Sequence, residues 1–167
     1  MMQTGMTSRL VVLCFDANDP LRLARFWAAA LGWKIDGETG DEIGLVPTDN
    51  TRFQIEFSAV PEQTREVGYF WSEALGWPLV WDQDEETAIR APDGTGPFIT
   101  WGPPLAPKIG KNRLHLDIAP PNHVDQRAEV DRLVALGATR IDIGQGEVDW
   151  VVMADPDGNE FCVLSPR

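Results

Sequence analysis

This 167-residue sequence holds few groups that could cross-link or titrate near neutrality. It has two cysteines (Cys14, Cys162), two histidines (His115, His123) and one tyrosine. Two cysteines do not make a disulfide scaffold, and each sits in a strand-like run, so both read as reduced, buried thiols. No apolar run approaches the roughly 18–20 residues of a membrane span. The opening MMQTGMTSRLVVLCFD has a short apolar stretch, broken by Asp16, and lacks a small-residue cleavage site. No signal peptide is therefore expected, and the cytoplasm is the default location. Positive charge is scarce too: 14 Lys and Arg stand against 26 Asp and Glu, a formal net charge of −12. Without a basic stripe or helix, neither nucleic acid nor a membrane surface is expected as a partner. Phosphate-cradling glycine patterns are missing, and neither histidine has a nucleophile in a recognisable motif.

What the chain does have is a repeat. RFWAAALGWK (Arg25 to Lys34) returns 44 residues later as YFWSEALGWP (Tyr69 to Pro78). The same shift lays DEIGLVPTDNTRFQIEF on EETAIRAPDGTGPFITW, where the order of apolar run, turn and apolar run persists. A repeat of this length is one supersecondary unit. Its first copy opens with RLVVLCFDA, rich in β-branched and aromatic residues. NDPLRLARFWAAALG reads as a helix: Asn18 or Asp19 caps it, Pro20 suits the first turn and Gly32 the end. Leu23, Phe26, Trp27 and Ala30 share one face of it. Short strands near 33–37, 42–47 and 52–59 complete a β-α-β-β-β unit.

The second copy has a helix over 63–75 and strands near 77–82, 86–91 and 97–102. PPLAPKIGK (103–111) reads as a linker. A third unit has a strand over 112–118, a helix over 124–136 and strands near 139–143, 148–154 and 159–164. The expected organisation is a first module at 1–59 (partial, or with a swapped partner), a second at 60–102 lacking its own first strand, the linker, and a third at 112–167. FQIEFSA (Phe53 to Ala59) is placed both as the last strand of the first unit and, by the shift, as the first strand of the second. The strand is either shared, or the first unit is partial and finds a partner elsewhere.

DPLRLARFWAAALGW, VGYFWSEALGW, KNRLHLDI, ALGATRID and WVVMADPDGNEFCVL together touch most of the chain. In these stretches it resembles the vicinal oxygen chelate superfamily (glyoxalase, bleomycin resistance and extradiol dioxygenase proteins). Within that group it looks most like the glyoxalase-like proteins common in actinobacteria. The resemblance implies an α+β fold, with paired β-α-β-β-β modules forming a half-open barrel around a small ligand, plus an extra or partial N-terminal module. A divalent metal (Fe, Mn, Ni or Zn) is often held there by residues of the first and last strands of each module. By that resemblance His115 and Glu160 fall at ligand positions of the third unit. Val12, Arg52 and Gly96 occupy the corresponding positions elsewhere and are not usual ligands. Glu56 is available if its strand opens the second unit. The expected metal set is therefore Glu56, His115 and Glu160, with Glu160 also a proton-transfer group; the competing set is His115 and Glu160 alone.

Each of these residues has a plainer reading. His115 could be a hydrogen-bonded structural residue and Glu160 a solvated residue at a hairpin end. Arg113, His115 and Asp117 alternate onto one face of their strand. Trp81, Trp101 and Trp150, all placed in strands, are expected with Arg113 and Asp117 to line a pocket, although for each taken singly the core is the commoner role. Trp27 and Trp71 are assigned to the core. Two functions follow: a metal-dependent lyase, isomerase or dioxygenase acting on a small oxygen-bearing molecule, or a metal-free protein that binds a small molecule or antibiotic. A homodimer is expected in either case.

Overall fold

The computed structural model describes residues 7–15, 17, 19–39, 42–48, 54–58, 64–83, 85–102 and 109–167. Among them lie three helices and eleven strands: β1 (Arg9–Phe15), α1 (Pro20–Leu31), β2 (Lys34–Thr39), β3 (Glu42–Val46), β4 (Gln54–Ser58), α2 (Thr64–Leu75), β5 (Leu79–Gln83), β6 (Glu86–Arg90), β7 (Phe98–Gly102), β8 (Leu114–Ala119), α3 (Gln126–Ala135), β9 (Thr139–Arg140), β10 (Val151–Ala154) and β11 (Glu160–Val163). Local chemistry explains the helix ends. Asp19 accepts the Arg22 N–H at 3.0 Å, Pro20 opens α1, and Gly32 closes it in the left-handed conformation at φ 69°. The third helix is shorter than expected. Asp125 is its N-cap, accepting from Arg127 and Ala128, so Val124 lies outside it.

The mixed α+β class and its helix and strand order are as expected, but the strands of the first unit are dispersed over three sheets. β1 joins the third unit in a sheet of order β1-β8-β11-β10-β9, antiparallel to β8. β2 and β3 form a separate hairpin. β4 lies parallel to β7 at the edge of a sheet of order β4-β7-β6-β5, where a first strand of the second unit belongs. Among the described residues no sheet closes into a barrel. The strand expected over 139–143 stops at Arg140, and that over 148–154 begins only at Val151. Between them Gly144 and Gly146 take positive φ, 84° and 68°, which ends regular pairing. Trp150, expected in a strand, therefore stands in a loop.

The two copies of the repeated motif have opposite fates. Phe70 and Trp71 of α2 are 3% and 2% exposed, while their counterparts Phe26 and Trp27 of α1 are 60% and 37% exposed. The assignment of Trp27 to the core is thus overturned, and that of Trp71 stands. The reason is what each helix has to cover. α2 packs Val67, Phe70, Trp71, Ala74 and Leu75 into one cluster with Ile89, Ile99 and Trp101 of its own sheet and with Leu116, Phe161 and Met153 of the five-stranded sheet. α1 packs on a two-stranded hairpin, which is too narrow to cover its face. Gly68 lets α2 approach closely: a Cβ there would lie 2.1 Å from Thr87 Oγ1.

Two buried polar networks tie the units together. Glu129 of α3 accepts from Ser8 Oγ and from Arg132 at 2.7 and 2.8 Å, and Arg132 also donates to the Ala74 carbonyl at the end of α2 at 2.9 Å. Asp155, in the DPDGN turn, accepts the Trp71 indole N–H at 3.0 Å and the backbone N–H groups of Asp157 and Asn159. Trp71→Phe keeps most of the packing but removes the indole donor to a buried carboxylate. It is expected to cost about 1–3 kcal/mol in urea unfolding, and a loss below a few tenths would contradict the importance of this bond.

Burial raises the Asp155 carboxyl above its ordinary value, against the downward pull of the Trp71 and Asn159 hydrogen bonds. Between the ordinary carboxyl value of 3.8 and its raised folded value, the native state holds a proton that the unfolded chain has lost. This contribution to stability is complete below the unfolded value and disappears as pH rises through the folded one. The stability of wild type relative to Asp155→Asn should therefore fall with rising pH across that window. A difference that is flat, or that grows with pH, would show the sign to be wrong.

Candidate functional site

The polar face of the five-stranded sheet depends on an irregularity in β1. Leu10 pairs with Ile118 and Leu13 with Leu116, a spacing of three residues against two, so Val11 is bulged out. The bulge lets Leu10 and Leu13 both pack on the core and turns Cys14 to the other face, opposite His115. There Cys14 Sγ donates to Asp117 Oδ2 at 3.2 Å, and His115 Nε2 stands 3.4 Å from Asp117 Oδ1. Donor atoms of Cys14, His115 and Asp117 lie within 4.8 Å of one another. Among the described residues, His115 Nδ1 is buried without a hydrogen-bond partner. Thiolate, imidazole and carboxylate together make a chemically sound divalent-metal donor set, best suited to a borderline metal such as Zn(II).

The residues expected from sequence are distributed differently. His115 and Asp117 belong to this group. Cys14, read as a structural thiol, joins them because of the bulge, which no residue pattern in RLVVLCF announces. Glu160 is buried at the start of β11, next to His115 in the parallel register, and its Oε2 accepts the Asn112 N–H at 3.1 Å. Glu56 lies in β4, paired with Thr100; its carboxylate, Arg52 and residues 103–108 of the expected linker lie outside the described residues. Trp101 is fully buried and stacks on Trp71 with ring centroids 6.5 Å apart, while Trp81 and Trp150 are 44% and 42% exposed. Arg113 and five residues at the start of α1 and just before it (Ala17, Asp19, Arg22, Leu23, Phe26) line a cavity of about 390 Å³. Among the described residues, no helix is long and apolar enough to cross a membrane.

Known proteins resemble this chain. A family model described as a glyoxalase-like domain matches residues 12–67 and again 62–164. Comparison with curated proteins gives no match. Among solved structures, an oxidase named ChaP-H2 aligns at 12% identity and TM-score 0.50, covering 70% of this chain and 94% of its own. A glyoxalase/bleomycin resistance protein/dioxygenase family enzyme from Burkholderia phytofirmans PsJN aligns at 16% identity and TM-score 0.48, covering 68% and 97%. A mutant of glyoxalase I from Zea mays aligns at 15% identity and TM-score 0.47, covering 96% of this chain and 69% of that one.

Proposed function

Because the chain belongs to the glyoxalase-like domain family of the vicinal oxygen chelate superfamily, we propose that the polar face of its five-stranded sheet is a divalent-metal site. On this reading the protein is a metal-dependent lyase, isomerase or dioxygenase acting on a small oxygen-bearing molecule. The observation that supports it is the convergence of Cys14, His115 and Asp117 from two strands, with the buried His115 Nδ1 unpartnered among the described residues. On this reading Cys14, His115 and Asp117 are the ligands, in place of the Glu56, His115 and Glu160 that the resemblance implied. A metal bound there supplies Lewis-acid polarisation of a substrate oxygen. His115 and Asp117 alternate on one strand and hold a fixed spacing, and Cys14 faces them from the neighbouring strand. Glu160, anchored through Asn112 beside His115, is assigned to proton transfer. The protein is taken to be cytoplasmic and homodimeric.

The alternative is metal-free binding of a small molecule or antibiotic, as in sequestration. It is favoured by the cavity beside Arg113, which requires no metal. Elemental analysis of purified protein incubated with Fe(II), Mn(II), Ni(II) or Zn(II) separates the two. Near-stoichiometric metal supports the first reading, and none with any of the four metals leaves the second.

A further inference from the structure

We propose that the cavity between α1 and the start of β8 binds a small organic acid, its carboxylate between Arg22 and Arg113 and its apolar body against Leu23 and Phe26. At about 390 Å³ the cavity is within the range of small-molecule sites. Two of its six lining residues are arginines, in a chain whose formal net charge is −12. A concave site lined by cations locally reverses the field that the rest of the surface presents to an anion. Asp19 also lines the cavity, but one of its oxygens already accepts the Arg22 backbone N–H at 3.0 Å as the cap of α1. Arg113 keeps an interaction within the fold while it faces the cavity. Guanidinium forks match carboxylates bidentately. Ala17, Leu23 and Phe26 give the remaining wall an apolar character that inorganic phosphate would not use. Phe26 is 60% exposed, an arrangement that leaves its ring open to a ligand.

This inference rests on the proposed function only in naming the substrate class, since binding of the acid does not require the metal. Arg113 lies just before β8, two residues from His115 in sequence. The dispersed first unit acquires a role here: β1 supplies Cys14 to the sheet, and α1 supplies the wall that selects the ligand.

The test uses benzoate as the probe in isothermal titration calorimetry on the full chain, with benzyl alcohol and inorganic phosphate as comparisons. Benzoate is expected to bind more tightly than either. Arg22→Gln and Arg113→Gln are each expected to weaken it by at least about tenfold, with circular dichroism and metal content unchanged. Binding no tighter than that of benzyl alcohol, binding unaffected by both substitutions, or phosphate binding as tightly as benzoate would each overturn the proposal. His115→Ala distinguishes the two claims. If it removes metal and leaves benzoate binding intact, both stand. Arginine-dependent benzoate binding to a protein that takes up no metal sinks only the metal reading; metal uptake without benzoate binding sinks only this one.

Discussion

Arg132→Met is expected to destabilise the protein by about 3–5 kcal/mol, because it strands a carboxylate that has no access to water. The side chain of Glu129 is 0% exposed and that of Arg132 24%. Glu129 remains buried when its cation is removed, with Ser8 Oγ as its remaining donor among these contacts. For a chain of this length such a loss lowers the melting midpoint by roughly 6–20 °C. Arg132 also donates to the Glu73 and Ala74 carbonyls, which α2 cannot satisfy within its own last turn. The double variant Glu129→Met/Arg132→Met removes both charges and should regain at least half of the loss. A double variant as unstable as Arg132→Met alone would show that the effect comes from the α2 carbonyls and not from the ion pair. Calorimetric melting of the two variants beside wild type decides it.

The second large effect concerns the metal. Cys14→Ser, His115→Ala and Asp117→Asn should each weaken metal binding by more than about 100-fold, beyond the 10–100-fold typical of residues that only support ligands. Glu160→Gln should leave metal content unchanged, because that carboxylate is engaged by the Asn112 N–H, and should reduce only turnover. Elemental analysis and competition with a chelator measure both. If Glu160→Gln strips the metal while Cys14→Ser does not, the ligands are the Glu56, His115 and Glu160 that the family resemblance implied. Metal retained by Cys14→Ser and Asp117→Asn alike would remove the structural basis for the site proposed here.

The helices were legible because their signals are local. Asp19, Pro20 and Gly32 bracket α1 by backbone chemistry that needs no tertiary partner, and Gly76 ends α2 in the same left-handed conformation. His115 and Asp117 could be placed on one face because strand alternation is a property of a single segment. Cys14 could not be joined to them. That required the bulge at Val11, which satisfies the core on one side of β1 and reorients the thiol on the other. The cavity was hidden for a related reason, since it brings the start of α1 to Arg113, nearly a hundred residues away in sequence.

The sequence by itself determined that one β-α-β-β-β pattern recurs, where α1 begins and ends, and which family the chain resembles. These features follow from residue periodicity and caps, which act over a few residues. Only the tertiary structure decided where each strand pairs and which copy of Phe-Trp is buried. RFWAAALGW and YFWSEALGW are nearly equivalent as helices, yet one aromatic pair is in the core and the other meets solvent. The difference lies in the surface available to each: a two-stranded hairpin under α1, and two sheets around α2. Burial depends on the area that other segments present, and no segment contains that information about its neighbours.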